Sequence, residues 1–232
     1  MIRLALTAAT LLTAIAQPAS AATRNFTVTS FDRIRVDGPY SVRLTTGTSP
    51  FARATGSVQG LDGLSLRVEG RTLVIRRDVS AWSGSPARAP EPVEISAGTH
   101  ELGSAILNGA GTLLIDRVRG LNFALSAQGS GRAEIGEVQA DRLVVALAGS
   151  VSSRVGGKAL KLTAIVRGAS SLDASGLSAK EGSLSAEGPA QLSARLSETA
   201  RVDASGVAQV MVSGDPACTV KLLGSASVTG CR

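Results

Sequence analysis

Three acidic residues and two arginines lie close together near the middle of the chain. Glu134, Glu137 and Asp141 are interleaved with Arg132 and Arg142. Paired carboxylates can act as general acid and base on a glycosidic bond, so a polysaccharide lyase or hydrolase is one function that this stretch permits. Such sites usually also hold aromatic rings for sugar stacking. A solvated run of alternating charges is therefore the simpler interpretation.

Other catalytic chemistries have less support in the sequence. His100 is the single histidine, and no Gly-x-Ser-x-Gly motif is present to hold a serine nucleophile. Asp116, Asp173 and Asp203 are scattered rather than clustered as in a calcium loop. One histidine and two cysteines also exclude most zinc sites. We therefore predict no catalytic residue, no metal and no cofactor.

Composition limits both the core and the ligand. Of the 232 residues, 44% are hydrophobic but only 3% are aromatic. Any core must therefore consist of Val, Leu, Ile and Ala, and an aromatic-lined site for a sugar or a nucleobase is disfavoured. Removing a leader would leave a length that suits one large β domain.

The first 21 residues have the pattern of a secretory leader. Arg3 precedes an apolar run from Leu4 to Ala16, and small residues flank Ser20, which predicts cleavage after Ala21. A membrane anchor is the alternative, but a span needs about 20 apolar residues and Pro18 ends this run early. We expect export to the periplasm or the cell surface, with no transmembrane segment in residues 22–232.

The two cysteines, Cys218 and Cys231, fit an extracytoplasmic space that permits disulfides. Their spacing does not resemble a Cys-x-x-Cys redox motif. We therefore predict a structural disulfide that closes a short loop near the C-terminus, worth about 3 kcal/mol by chain entropy.

A repeat is the main signal of the sequence. From Gly103 onward, an apolar run is followed by a corner of small residues every 18 to 20 positions. The leading glycines of these corners are Gly109, Gly129, Gly149, Gly168, Gly188, Gly206 and Gly224. This period predicts a solenoid in which each repeat forms one coil. Leucine-rich repeats share the period, but their Leu and Asn signature is absent.

Short strands are predicted around each corner, for example at 105–107 with 112–115 and at 143–147 with 152–155. Their aliphatic residues alternate with Ser, Thr, Arg or Ala, as expected when one face points inward. The fold class is therefore all-β, a parallel β-helix with coils of about 18–20 residues. Gly129 and Gly131 could suggest a dinucleotide-binding loop, but Glu134 stands where that motif requires a third glycine.

The N-terminal part, 22–77, shows a similar pattern of glycine corners between short strands, and we expect it to start or cap the solenoid. Gly38 lies between two alternating stretches, and Gly70 predicts a turn between strands at 64–68 and 73–75. Residues 78–92 form a loop rich in Pro, Ser and Gly that contains Trp82, a candidate binding residue. The repeated coils fill 93–232, so 22–232 is one domain.

Positive charge is concentrated in the N-terminal part. The segment 24–77 has nine arginines against four acidic residues. The candidate binding residues are Arg33, Arg35, Arg43, Arg67, Arg76 and Arg77. On one outward face they would attract anionic envelope glycans. A plain solubilising surface is the alternative, and no nucleic acid is expected because interleaved aromatic residues are missing.

The N-terminal block resembles the bacterial GIN domain, a family known as the head domain of autotransporter adhesins. The resemblance rests on the stretch 31–44, FDRIRVDGPYSVRL, on Gly47, on the strands at 64–68 and 73–75, and on the later small-residue corners. Gly188-Pro189-Ala190 departs from the Gly-Ser-Gly corner of the family. The resemblance implies a right-handed β-helix at the cell envelope, with no established catalytic residues.

Three functions remain open from the sequence. The leading hypothesis is an exported, non-enzymatic binding module of the adhesion type or a structural module. The alternative is a carbohydrate-active enzyme that uses Glu134, Glu137 or Asp141. Self-association through the ends of the solenoid is the third possibility.

Overall fold

The structure, a computed structural model, describes residues 21–78 and 92–231. It is 75% strand and 3% helix and forms a β-solenoid of about six turns, which confirms the predicted fold class. The strands are β1 (Ala22–Phe26), β2 (Arg33–Asp37), β3 (Ser41–Thr46), β4 (Phe51–Gly56), β5 (Leu64–Glu69), β6 (Thr72–Arg77), β7 (Glu94–Thr99), β8 (Ser104–Gly109), β9 (Thr112–Gly129), β10 (Arg132–Gly149), β11 (Ser152–Gly168), β12 (Ser171–Gly188), β13 (Gln191–Gly206), β14 (Gln209–Ser213), β15 (Ala217–Gly224) and β16 (Ser227–Thr229). One short helix, α1 (Val58–Asp62), joins β4 to β5.

The solenoid has two main sides. The first side stacks β1, β4, β7 and β3 on the N-terminal parts of β9 to β13, and ends with β14 and β16. The second side stacks β5, β6, β2 and β8 on the C-terminal parts of β9 to β13, and ends with β15. An outward side chain therefore belongs to one of two separate surfaces.

Each of β9 to β13 runs from one glycine corner to the next, instead of forming the two separate short strands predicted from the sequence. Parallel pairing resumes after the bend of each coil, with register shifts such as the one between Ile135 and Val138. The ladder between neighbouring coils is thus interrupted at the bend, and the two parts of the coil pair on either side of it.

The interior consists of rows of aliphatic side chains, one residue from each coil. One row joins Leu125, Val145, Ala164, Leu184 and Val202, all at most 1% exposed. Burying such a side chain contributes about 1.5–3 kcal/mol. The alternating pattern of the sequence thus becomes one continuous core along the stack.

The corner glycines are required by close contact between coils. Gly129 has φ +107°, and a Cβ at this position would lie 2.6 Å from the carbonyl oxygen of Gly109. The amide of Ser130 donates to that same oxygen at 3.0 Å. A larger residue would therefore force the stacked corners apart.

The two ends are closed differently. At the N-terminal end, β1 pairs antiparallel with β4, β5 pairs antiparallel with β6, and α1 buries Leu61. At the C-terminal end, Cys218 and Cys231 form the predicted disulfide, with Cα atoms 5.6 Å apart. Among the described residues, no helix is long and apolar enough to cross a membrane.

Candidate functional site

Four of the six candidate arginines project from neighbouring strands at the N-terminal end of the second side. Ile34 and Leu73 point inward, so Arg33 and Arg35 of β2 and Arg76 of β6 point outward. Arg67 of β5 joins them, and so does Arg71 in the turn between β5 and β6. We call the surface formed by Arg33, Arg35, Arg67, Arg71 and Arg76 the arginine face.

An apolar residue underlies this surface. Val74 lies on the outward side of β6, yet it is only 5% exposed. The strand registers place Arg35 beside it on β2 and Arg67 beside it on β5. We infer that the aliphatic stems of the two arginines cover Val74, which leaves their guanidinium groups at the surface. Packing on Val74 thus restricts the positions of the two arginine side chains.

Acidic partners orient these guanidinium groups. The Nε of Arg35 donates to Asp37 at 2.8 Å, and the Nε of Arg67 donates to Glu69 at 2.7 Å. A guanidinium has five N–H donors, and each of these bonds uses Nε. The side chains of Arg35 and Arg67 remain 50% and 54% exposed. Their terminal nitrogens are therefore available to an anionic ligand.

Arg71 belongs to the same surface although the sequence did not mark it. It lies 2.7 Å from an Asp32 oxygen and 3.7 Å from Glu101. Arg71 lies in the turn after Gly70, and the alternation that assigns a strand residue to one face does not apply to a turn residue. Its place on the arginine face could therefore not be predicted. Acidic residues balance much of the charge, so the arginine face is an ordered array of donors with a small excess of positive charge.

The other two candidate arginines lie elsewhere. Arg43 is on the first side, between Ser96 of β7 and Leu114 of β9. Arg77 ends β6 near Tyr40, where burial of the phenol raises the pKa of Tyr40 and the charge of Arg77 partly opposes that rise. Trp82 lies outside the described residues, as does the leader before Ala21. The structure therefore does not bring all six predicted arginines onto one face.

The three acid/base candidates do not converge. Glu134 accepts from the Nε of Arg132 at 2.6 Å, and Glu137 accepts from Gln139 at 2.6 Å. Glu134 lines a groove of about 460 Å³ on the first side, whereas Glu137 and Asp141 do not line it. His100 is an exposed turn residue after β7 whose carbonyl accepts from the amide of Gly47. The described part of the chain contains no group of three or more His, Cys, Asp or Glu that could hold a metal ion.

The same groove contains an ordered polar cluster that sequence reasoning missed. The amide and hydroxyl of Ser175 both donate to one oxygen of Asp173, and the Nε of Arg154 lies 3.3 Å from the other. The bonds from Ser175, with a smaller contribution from Arg154, lower the pKa of Asp173. The signal was the coil period, since Glu134, Arg154 and Asp173 occupy the same outward row on successive coils.

Charges on the later coils are paired from one coil to the next. Arg167 lies 3.1 Å from Glu187, Lys180 lies 3.0 Å from Glu198, and Lys161 lies 3.7 Å from Glu181. These exposed ion pairs contribute little to stability. They also leave less excess charge on this part of the surface than the N-terminal arginines do.

Comparison with known proteins identifies one family, and it finds several solved structures with the same fold. The family model described as "Putative auto-transporter adhesin, head GIN domain" matches residues 30–216. None of the curated proteins matches the chain. The family match spans the N-terminal block and most of the coils, as the resemblance in the sequence implied.

Several solved structures share the architecture. A putative adhesin from Bacteroides fragilis has a TM-score of 0.82 at 18% identity, covering 92% of this chain and 97% of its own. A putative lipid binding protein from Parabacteroides distasonis has a TM-score of 0.70 at 21% identity, covering 91% and 96%. A putative adhesin from Parabacteroides merdae has a TM-score of 0.71 at 15% identity, covering 90% and 95%. At these identities the likeness shows the fold alone.

Proposed function

Because this chain belongs to the head GIN domain family of auto-transporter adhesins, we propose that it is an exported, non-enzymatic binding module of the adhesion type. Its place is the periplasm or the outer surface of the cell envelope. Its proposed ligand is an anionic polymer of the envelope, such as a polysaccharide that bears carboxylates or phosphates. The arginine face carries this proposal.

The geometry of the arginine face supports an extended anionic ligand. Four of its arginines lie on three adjacent strands, β5, β6 and β2, about 4.8 Å apart, and Arg71 lies in the turn between β5 and β6. A guanidinium presents its donors in a planar fork that matches a carboxylate or a phosphate. Successive acidic groups of a polymer could therefore bind successive strands without any movement of the backbone.

The acidic partners favour selective binding of a polymer over non-specific binding of any anion. Exposed ion pairs such as Arg67 with Glu69 are each worth only about 0–1 kcal/mol. A polymer that offers several carboxylates can displace such partners, whereas a single small anion gains too little. We therefore expect binding to need several linked charges and to weaken as salt screens them.

The test is binding to an immobilised anionic polysaccharide, polygalacturonate, with neutral dextran as the control polymer. We expect the mature chain to bind polygalacturonate and not dextran. The double variant Arg35→Gln with Arg67→Gln should bind roughly tenfold more weakly, which corresponds to a loss of about 1.4 kcal/mol. Anionic phospholipid vesicles are tested in parallel as a second source of negative charge. They are included because a structurally similar protein is described as lipid binding.

Matched control variants come from the same side of the solenoid. Arg167 and Arg201 are also outward and ion-paired, with Glu187 and Asp203. Changing both to Gln removes the same charge away from the arginine face. An equal loss of binding in this control would contradict a localised site, and so would unchanged binding in the first double variant. Release of oligosaccharides from polygalacturonate would contradict the non-enzymatic part of the proposal.

A further inference from the structure

The two ends of the solenoid cover the core to different extents. At the N-terminal end, Leu64 and Leu66 of the outermost strand β5 are only 5% and 8% exposed. At the C-terminal end, Val220 and Leu222 of β15 are 38% and 48% exposed. These two residues extend the inward rows of Val202 and Ala204, which are 0% and 3% exposed. The core is therefore closed at one end and open at the other.

The last strands also offer unpaired backbone groups. β15 pairs with β13, and β16 pairs with β14, each on one side only. Within 92–231 the structure describes no strand on their other side. Such an edge presents free N–H and C=O groups and is a ready template for another strand.

Exposed apolar residues are concentrated at this end. Among the described residues, nine large hydrophobic residues are exposed, and five of them lie between positions 207 and 223. These five are Val207, Met211, Val220, Leu222 and Leu223. From 204 to 231 the chain has only two charged residues, Asp215 and Lys221. Apolar exposure with few charges is typical of an interface core rather than of a free surface.

We propose that the C-terminal end of the solenoid is a docking surface for a second copy of this chain. In the described part of the chain, the outer edges of β1 and β5 are also unpaired. Leu64 and Leu66 are covered, however, so the N-terminal end offers no exposed core for the open C-terminal end to join. The exposed apolar surface that matches the C-terminal end is therefore the same end of a second copy. A two-fold axis perpendicular to the solenoid would place the two β15 strands antiparallel, with both aliphatic cores joined.

Charge excludes one register of this pairing. Residues directly opposite in an antiparallel pair point to the same face, so the pairing can centre on an inward residue, Val220 or Leu222, or on the outward Lys221. Centring on Lys221 would set two ammonium groups opposite each other, which is destabilising. Centring on Val220 sets Lys221 opposite Thr219 of the other copy, and centring on Leu222 sets it opposite Leu223. Either of these registers brings two aliphatic side chains together in the joined core.

The expected contact is small. β15 has 8 residues, so the contact is about 26 Å long at roughly 3.3 Å per residue, and it is about 10 Å thick. This is below the size of a standard stable interface, so we expect a reversible dimer with a dissociation constant in the micromolar range. The surface lies at the opposite end from the arginine face, so this proposal is independent of the proposed function.

The test is sedimentation velocity of the mature chain over a concentration series from about 1 μM to several hundred micromolar. We expect a shift from monomer to dimer and no larger species. The variant Leu222→Asp should weaken the dimer at least tenfold, because it places a charge in the joined core. The matched control is Leu121→Asp, since Leu121 is also an exposed leucine, 71% exposed, but lies on an early coil. It should dimerise like the wild type.

Circular dichroism checks that each variant is folded. If Leu222→Asp does not fold, Val220→Thr replaces it as a β-compatible change, and it should also weaken the dimer. A wild type that stays monomeric throughout the series would overturn the proposal. A dimer that persists in a folded Leu222→Asp variant would do the same, and growth beyond the dimer would overturn the two-fold arrangement.

Discussion

Leu196 fills the space that Gly182 leaves empty inside the solenoid. Gly182 occupies an inward position, in the row between Leu162 and Ala200. A Cβ at this position would collide with the side chain of Leu196, which is fully buried. The two residues belong to adjacent coils, so the side chain of one compensates for the missing side chain of the other.

We expect Gly182→Ala to destabilise the protein by about 1–3 kcal/mol, because the added methyl group overpacks the core against Leu196. Gly176→Ala is the matched control. Gly176 is an exposed glycine at the bend of the same strand, and the nearest atom to its Cβ position is 3.7 Å away. Its change should alter stability by less than about 1 kcal/mol. Urea unfolding of both variants checks this, and equal destabilisation would contradict the packing described for Leu196.

Removing the disulfide should loosen the last coil only. Cys218 and Cys231 are 13 positions apart, so the bond contributes at most about 3 kcal/mol by loop closure. In a variant with both cysteines changed to Ala, we expect faster hydrogen exchange in β15 and β16 and unchanged exchange in β9 to β11. Faster exchange throughout the solenoid would show instead that the whole fold depends on this bond.

The alkaline stability of the protein should depend on Tyr40. Burial raises the pKa of its phenol, with Arg77 opposing. Because the folded pKa lies above the unfolded one, the stabilisation is complete below the unfolded pKa and is lost as the pH rises through the folded pKa. We expect the free energy of unfolding to fall above about pH 10, and to fall less in Tyr40→Phe. Parallel curves for the two proteins would contradict the assignment.

At acidic pH, the stability of the protein should depend on Asp173, whose pKa is shifted in the opposite direction to that of Tyr40. The bonds from Ser175 lower the pKa of Asp173 below its ordinary value of 3.8. The stabilisation from this carboxylate is therefore present above the unfolded pKa and is lost as the pH falls through the folded pKa. In Ser175→Ala we expect a higher pKa for Asp173 by NMR titration, whereas the distant outward change Ser185→Ala should leave it unchanged. An unchanged pKa in Ser175→Ala would contradict the hydrogen bonds seen in the groove.

The sequence predicted the parts of the fold that repeat. Gly129 and Gly149 could be assigned to corners because stacking imposes the same steric limit on every coil. Gly182 gave no such signal, because the residue that compensates for it, Leu196, lies on the next coil, and β12 and β13 pair there with register shifts. Local departures of this kind depend on contacts that a regular period does not encode.

The candidate site was predictable in part for a similar reason. Alternation along β2 placed Arg33 and Arg35 outward. The three residues of β6 before Arg76 are all buried, so its outward position had no such signal. The sequence did not separate Arg43 from these arginines, because the corner at Gly38 moves the chain from the second side to the first. Assigning arginines to faces therefore required knowing where each corner redirects the strand.

The most direct test of the account is to map where an anionic polymer binds. Hydrogen–deuterium exchange of residues 22–232 should be measured with and without polygalacturonate. We predict slower exchange in β2, β5, β6 and the turn at Gly70 and Arg71. Exchange in β10 to β13 should stay unchanged. Slower exchange along β10 to β13 instead, or none anywhere while the polymer is bound, would contradict an adhesion module that binds through the arginine face.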